Sequence, residues 1–208
     1  MAKILLINPP FNIAKENYDS SLSVGLLSIA SYLKSLGLEV EIIDGARQSD
    51  YLDLIRQKAA SAEWFGVSVM TTQIAHALSI SHLIKEINQT GKIVWGGSHP
   101  TFFPKETIKN ELIDIVCVGE GEETMAELAG GKNLSEIDGI VYKKDGEILS
   151  NPPRRLHEPK EMPLFNWDLV PREILEKLYL IPSLTSRGCP HRCTFCINAI
   201  LKNRWRAR

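Results

Sequence analysis

Two hydrophobic periods alternate along the first part of the chain. Lys3–Asn8 is a short apolar run stopped by Pro9 and Pro10, which predicts a buried strand. A polar loop is expected over 11–23. Leu26, Ile29, Ala30, Leu33 and Leu36 then recur at helical spacing, with Gly37 as a C-terminal stop. Glu39–Asp44 predicts a second strand, 51–62 a helix with Leu52, Leu54, Ile55 and Ala59 on one side, and 64–70 a third strand. Ile74–Ile87 reads as a helix with Ala77, Ile80, Ile84 and Ile87 on its face. Ile93-Val94-Trp95 is a fourth strand closed by Gly96-Gly97, 113–118 a fifth, and 122–128 opens another helix.

Strands alternating with helices over short links predict an α/β fold with a parallel sheet covered on both faces. Five strands suit the flavodoxin-like, Rossmann-like doubly wound order 2-1-3-4-5, in which ligands bind beyond the carboxyl ends of the strands. Those ends are the loops after Asn8, Asp44, Met70, Trp95 and Val118. From Asp138 the rhythm changes. Gly139-Ile140-Val141-Tyr142 and Glu147-Ile148-Leu149 flank Lys144-Asp145-Gly146, a hairpin signal. Pro152, Pro153, Pro159, Pro163 and Pro171 then mark an extended connector to a second module, whose first strand is expected at 180–185. The expected division is 1–135, a hairpin and linker over 136–178, and the start of a further domain over 179–208.

Composition narrows the function classes. Hydrophobic residues make up 44% of the 208, enough for a sizeable core. Charged residues make up 24% with a net charge of −1, which gives no reason to expect a nucleic-acid or membrane-surface binder. The basic run Lys202, Arg204, Arg206 and Arg208 is the exception, and reads as a solvated helix face rather than a binding patch. The N-terminus lacks a secretory pattern, and no apolar stretch approaches the ~20 residues that span a bilayer. A cytoplasmic location is expected. Three of the four cysteines fall in one short segment, which in such a chain points to metal rather than disulfides.

That segment is Ser186-Arg187-Gly188-Cys189-Pro190-His191-Arg192-Cys193-Thr194-Phe195-Cys196, with spacing C-x3-C-x2-C. Three thiolates in a compact loop suit an iron–sulfur cubane with one iron left open. The competing reading is zinc with His191 as fourth ligand, strained because His191 sits inside the first gap. Cys117, inside the fifth strand, reads as a small buried hydrophobe. The spacing resembles the radical S-adenosylmethionine (SAM) superfamily, and Thr185-Ser186-Arg187-Gly188 with Phe195 resembles its cobalamin-binding branch. The resemblance implies that Cys189, Cys193 and Cys196 hold a [4Fe–4S] cluster on the first loop of a TIM-like barrel. It also implies that SAM binds the open iron and is cleaved to a 5′-deoxyadenosyl radical, with an electron donor such as flavodoxin or ferredoxin.

Cobalamin domains of the methionine synthase type share D-x-H-x-x-G, S-x-L and G-G. Ser68-Val69-Met70 and Gly96-Gly97 resemble the second and third of these. The first is missing, since no histidine occurs from Pro9 to Val24; the cobalt is therefore not expected to take a histidine from the usual place. His76 and His82 read as surface or satisfied residues. Gly96-Gly97-Ser98-His99-Pro100-Thr101 and the run from Asp114 to Glu122 that ends Gly119-Glu120-Gly121-Glu122, followed by Thr124, resemble the same branch. The plainer readings are a turn for Gly-Gly, an acidic helix entry for the second run and a structural role for His99. The resemblance implies that Ser68, Met70, Thr71, Thr72, Gly96, Gly97, His99, Gly119, Glu120, Gly121 and Thr124 contact the cobalamin, with Ser68 on its nucleotide tail. Pro163-Leu164-Phe165-Asn166-Trp167-Asp168-Leu169 is similar to the segment joining cobalamin domain to barrel. The function implied is the front part of a cobalamin-dependent radical SAM enzyme, with methyl transfer to, or rearrangement of, an unknown small molecule or natural product. A corrinoid carrier or sensor, and a zinc-binding structural protein, are the alternatives. Only 197–208 follow the cysteine loop, so the barrel is expected to be cut short, 203–208 to be the helix after the cluster, and the chain alone to be inactive.

Overall fold

The computed structural model describes residues 3–11, 22–178, 180–198 and 204–208. Strand β1 (Lys3–Asn8) is followed by α1 (Val24–Ser35), β2 (Glu39–Asp44), α2 (Tyr51–Lys58), β3 (Trp64–Ser68), α3 (Ile74–Ile87), β4 (Lys92–Gly96), α4 (Ser98–Phe102), α5 (Pro104–Ile108), β5 (Ile115–Cys117) and α6 (Glu122–Ala129). The first five strands lie in the order 2-1-3-4-5 and pair parallel throughout. Most of the expected loop over 11–23 lies outside the described residues.

The continuous apolar strands follow from burial on both faces. Successive side chains point to opposite sides, so Leu5 and Ile7 meet Ile80 and Ile84 of α3, while Ile4 and Leu6 meet Leu26, Ala30 and Leu33 of α1. Each such burial contributes roughly 1.5–3 kcal/mol. Trp95 is the largest side chain in the first cluster, and its indole N–H donates to the buried Ser81 Oγ at 3.0 Å, so no polar atom is orphaned there. Gly37 ends α1 in the left-handed region at φ 79°, the stop expected of it.

The hairpin departs from the expectation. Strands β6 (Ile140–Lys144) and β7 (Glu147–Ser150) are not a separate unit but extend the sheet antiparallel beyond β5, giving seven strands. Strand β5 has only three residues and would be a bare edge; Ile140, Val141 and Tyr142 cover it and bury against both apolar layers. The connecting turn has positive φ at both Asp145 (52°) and Gly146 (82°), the mirror-image turn that matches strand twist.

The connector is not an extended spacer either. Val170 and Ile174, the latter in α7 (Arg172–Leu175), pack with Leu22 and Leu27 against the outer side of α1. The Asn166 amide donates to Ser31 Oγ at 2.9 Å, and the Phe165 and Trp167 rings meet edge-on at 6.0 Å. The strand expected at 180–185 does not form, and Leu180 and Ile181 are exposed. A strand needs a ladder partner, and the partner among the described residues reaches only Ser186–Arg187 (β8), which pairs antiparallel with Arg206–Ala207 (β9). The terminal basic run is therefore not a helix face in its described part, and of its described members Arg204 and Arg208 stay exposed while Arg206 does not. Arg206 is 4% exposed, Arg204 pairs with Glu158, and Arg208 donates to the Met162 carbonyl at 2.9 Å; Lys202 lies outside the described residues. Among the described residues no helix is long and apolar enough to cross a membrane.

Candidate functional site

At the carboxyl ends of β3, β4 and β5, on the side covered by α1 and α6, lies a cavity of about 430 Å³. Its origin is a set of small residues. Alternate positions of a strand share a face, so Gly66 and Ser68 of β3 and Val94 and Gly96 of β4 all look into it. Helix α1 enters with Gly25, where an added Cβ would meet nothing within 4 Å; at Gly96 it would meet only Cys117 Cβ, at 3.7 Å. Side chains that elsewhere fill the space between sheet and helix are thus absent here. Leu6, Leu26, Ile29 and Met125 supply apolar walls. Such a concave, mostly apolar space with few polar groups is the usual form of a small-molecule site.

Gly97 turns the chain at the lip. Its φ is 94°, and a Cβ there would fall 2.8 Å from the Val69 nitrogen, so only glycine fits. The turn is knit by Val69 N–H to the Gly96 carbonyl (2.8 Å) and His99 N–H to the Val69 carbonyl (3.0 Å). Ser68, Gly96, Gly97, Gly119, Glu120 and Gly121 all line the cavity. Met70, Thr71 and Thr72 do not; they stand exposed on the turn beyond β3. His99 is beside that turn, half-buried, with Nδ1 3.2 Å from Thr71 Oγ1 and its ring 5.3 Å from Phe103. Burial pushes the imidazole below its ordinary range, which favours the neutral ring. Thr124 is fully buried away from the cavity and accepts from Arg154 Nε at 3.0 Å, so it anchors the connector to α6.

Glu120 lines the cavity but its carboxylate is already engaged. It accepts from Arg206 Nη2 at 2.6 Å and from the His157 amide at 3.1 Å. Burial opposes its ionisation, yet Arg206 and Arg187 outweigh that and hold the carboxyl below its ordinary range. Sequence reasoning missed the neighbouring group. Ser28 Oγ donates to Glu122 Oε1 at 2.7 Å, and Arg187 Nη2 donates to both Ser28 (2.7 Å) and Glu122. These residues are 65 or more positions apart in pairs reaching Arg187, a separation that leaves no periodic or spacing signal. Cys117 is buried at the cavity wall, and burial raises its thiol to about 11.

Cys189 and Cys196 are half-buried and Cys193 is exposed, all as free thiols on one loop, with the Cys196 amide donating to the Cys193 carbonyl at 3.0 Å. Three soft donors suit an iron–sulfur cluster in kind. Their side chains are not drawn to a common point, however: among the described residues no three His, Cys, Asp or Glu side chains are placed to hold a metal ion. That holds equally for a zinc set that includes His191.

The B12 binding domain family matches residues 18–129. An uncharacterized methyltransferase of Pyrococcus horikoshii is 34% identical over 220 residues, covering 98% of this chain and 47% of its own length. An anaerobic magnesium-protoporphyrin IX monomethyl ester cyclase of Synechocystis is 28% identical, covering 99% of this chain and 44% of its own length. The chain thus spans less than half the length of these curated relatives. Among solved structures, the cobalamin-dependent SAM radical enzyme OxsB, with aqua-cobalamin and SAM bound, superposes with a TM-score of 0.78 at 26% identity, over 94% of this chain and 28% of that one. The radical SAM methyltransferase TsrM from Kitasatospora setae shares the fold, with a TM-score of 0.72 at 20% identity, over all of this chain and 43% of that one.

Proposed function

Because the chain belongs to the B12-binding domain family, we propose that its cavity takes the nucleotide tail of a cobalamin, within the front part of a radical SAM enzyme of the methyltransferase type. The observation that carries this reading is the cavity itself. It opens where doubly wound sheets bind ligands, and Ser68, Gly96 and Gly97 stand at its lip. The apolar walls take an aromatic base out of water. The Ser68 hydroxyl is the polar group best placed to bond it. The Gly97 turn brings main chain, rather than side chain, up to the ligand. The neutral His99 and the exposed Met70, Thr71 and Thr72 border the space outside the cavity, where the corrin ring would rest. Bound cobalamin supplies a cobalt that can carry a methyl group.

Cys189, Cys193 and Cys196 are assigned to a [4Fe–4S] cluster on their C-x3-C-x2-C spacing, in a chain similar to the SAM radical enzyme OxsB. Reductive cleavage of SAM, a flavodoxin or ferredoxin as electron donor, and a small-molecule substrate belong to the same proposal. One observation favours a second reading, a corrinoid carrier without catalysis: the B12-binding family match covers 18–129 and ends before the cysteine loop.

Anaerobic reconstitution with iron, sulfide and hydroxocobalamin separates the two. The first reading expects bound corrinoid together with about four irons per chain, the irons being lost in Cys193→Ala. Corrinoid without iron would leave the carrier. Stoichiometric zinc with neither would sink both. Gly96→Leu, which fills the cavity, is expected to abolish corrinoid retention while leaving the iron.

A further inference from the structure

The cysteine loop has an attachment that its own sequence does not explain. Strands β8 and β9 are two residues each, too short to be stable alone, and Leu184 and Thr185 before them are exposed. Among the described residues no hydrophobic cluster includes this stem. Arg187 and Arg206 face each other across the two-stranded ladder, an arrangement that is repulsive unless both charges are met. Both are met by carboxylates two residues apart, Glu120 in the turn after β5 and Glu122 at the start of α6. Arg187 bonds Glu122 and lies 3.4 Å from Glu120, while Arg206 bonds Glu120 at 2.6 Å. The four side chains are 2–15% exposed, so the network is formally neutral and nearly dry.

Two further contacts orient it. Arg187 also donates to Ser28 on α1, and Arg206 donates to the His157 carbonyl of the connector. Ser186, Arg187 and Gly188 consequently form one wall of the cavity, so the cavity is complete only when the stem is docked.

We propose that Arg187 and Arg206 are positioning residues that latch the stem of the cysteine loop onto Glu120 and Glu122, thereby closing the cavity. An apolar contact could hold the stem equally firmly, but it would tolerate sliding. Two bonded ion pairs on a two-residue ladder fix its register, and with it the distance from Gly188 to the cavity. The latch gives two parts far apart in the chain a shared equilibrium. A ligand filling the cavity favours the docked stem, and a docked stem raises affinity for the ligand by the same factor. The second half of this inference rests on the reading that the cavity holds a cobalamin; the first half does not.

The test uses the full chain and two readouts. Hydrogen exchange of 184–190 reports the latch, and spectrophotometric titration with hydroxocobalamin reports the wall. Glu122→Gln/Arg187→Gln removes the charges as a pair, so that neither is left buried alone, and Arg206→Met is the second variant. Both are expected to keep the wild-type far-UV spectrum and the protection of β1 and β3. Exchange over 184–190 should accelerate at least about tenfold. If the docked fraction falls to about a tenth, the hydroxocobalamin Kd weakens by about tenfold in step. Arg187→Lys, which keeps the charge, should recover part of both losses. Unchanged exchange over 184–190 in both variants overturns the latch. Complete loss of protection over 184–190 with an unchanged Kd overturns the wall. If wild type binds no hydroxocobalamin, the cobalamin reading and the wall fall, and exchange alone still decides the latch.

Discussion

Single residues carry distinct duties around the cavity. Gly97 is fixed by backbone: at φ 94°, with Val69 main chain where a Cβ would go, Gly97→Ala is expected to cost about 1–3 kcal/mol in urea denaturation and to weaken hydroxocobalamin binding. Cys117 is inert for an electrostatic reason. Burial raises its thiol to about 11, so at about pH 8 only one molecule in roughly a thousand carries the reactive thiolate. A thiol reagent at that pH should modify Cys189, Cys193 and Cys196 in the folded chain, and the fourth cysteine only on unfolding. Asp44 behaves in the opposite sense to Glu120. Burial raises its carboxyl more than the bond from Asn8 Nδ2 (2.8 Å) and the Ala46 amide lower it. Its folded pKa thus lies above the unfolded one. The folded chain holds this proton more tightly, and the associated stability is present at acid pH and lost as pH rises through the folded value. Asp44→Asn should therefore gain on wild type from about pH 4 upward, seen as a rising difference in unfolding midpoint.

Elements show how local preference is completed by neighbours. Strand β5 is three residues long and survives because β6 pairs with it on one side and β4 on the other. Ile140, 1% exposed, sits in the apolar layer shared with α1 and α6. Ile140→Ala is expected to cost about 2–5 kcal/mol, and to lower the thermal midpoint far more than an exposed hairpin change such as Ile148→Ala. The same layer holds the cavity, so its walls are only as rigid as this edge.

Across the whole molecule, the connector behaves as structure rather than as a tether. Its Val170 and Ile174 are buried against α1, and Arg154 is tied to Thr124, Glu123 and Glu127 on α6. Residues 152–175 should accordingly resist limited trypsin digestion although they are proline-rich. Val170→Asp, which places a charge in that contact, should make them cleavable without unfolding the sheet. Docking of the connector delivers the cysteine stem to the open end of the sheet, next to the cavity.

The parallel order 2-1-3-4-5, the apolar layers and the glycine-lined lip were legible from the chain because each depends on short-range pattern: apolar runs of strand length, helical spacing, and small residues at strand ends. The cysteine spacing was legible for the same reason. Four things were not. The hairpin's place on the sheet edge, the folding back of the connector, the two-residue β8–β9 ladder and the Glu120, Glu122, Arg187 and Arg206 network all join residues tens of positions apart. Arg206 shows why. In the chain it is one of several basic residues in a row and reads as solvated. Only the fold brings a carboxylate, a carbonyl and a dry environment to it, and so turns a surface charge into a buried latch. Periodicity specifies which face of an element is apolar; which polar groups meet across the gaps is decided by the packing of the elements themselves.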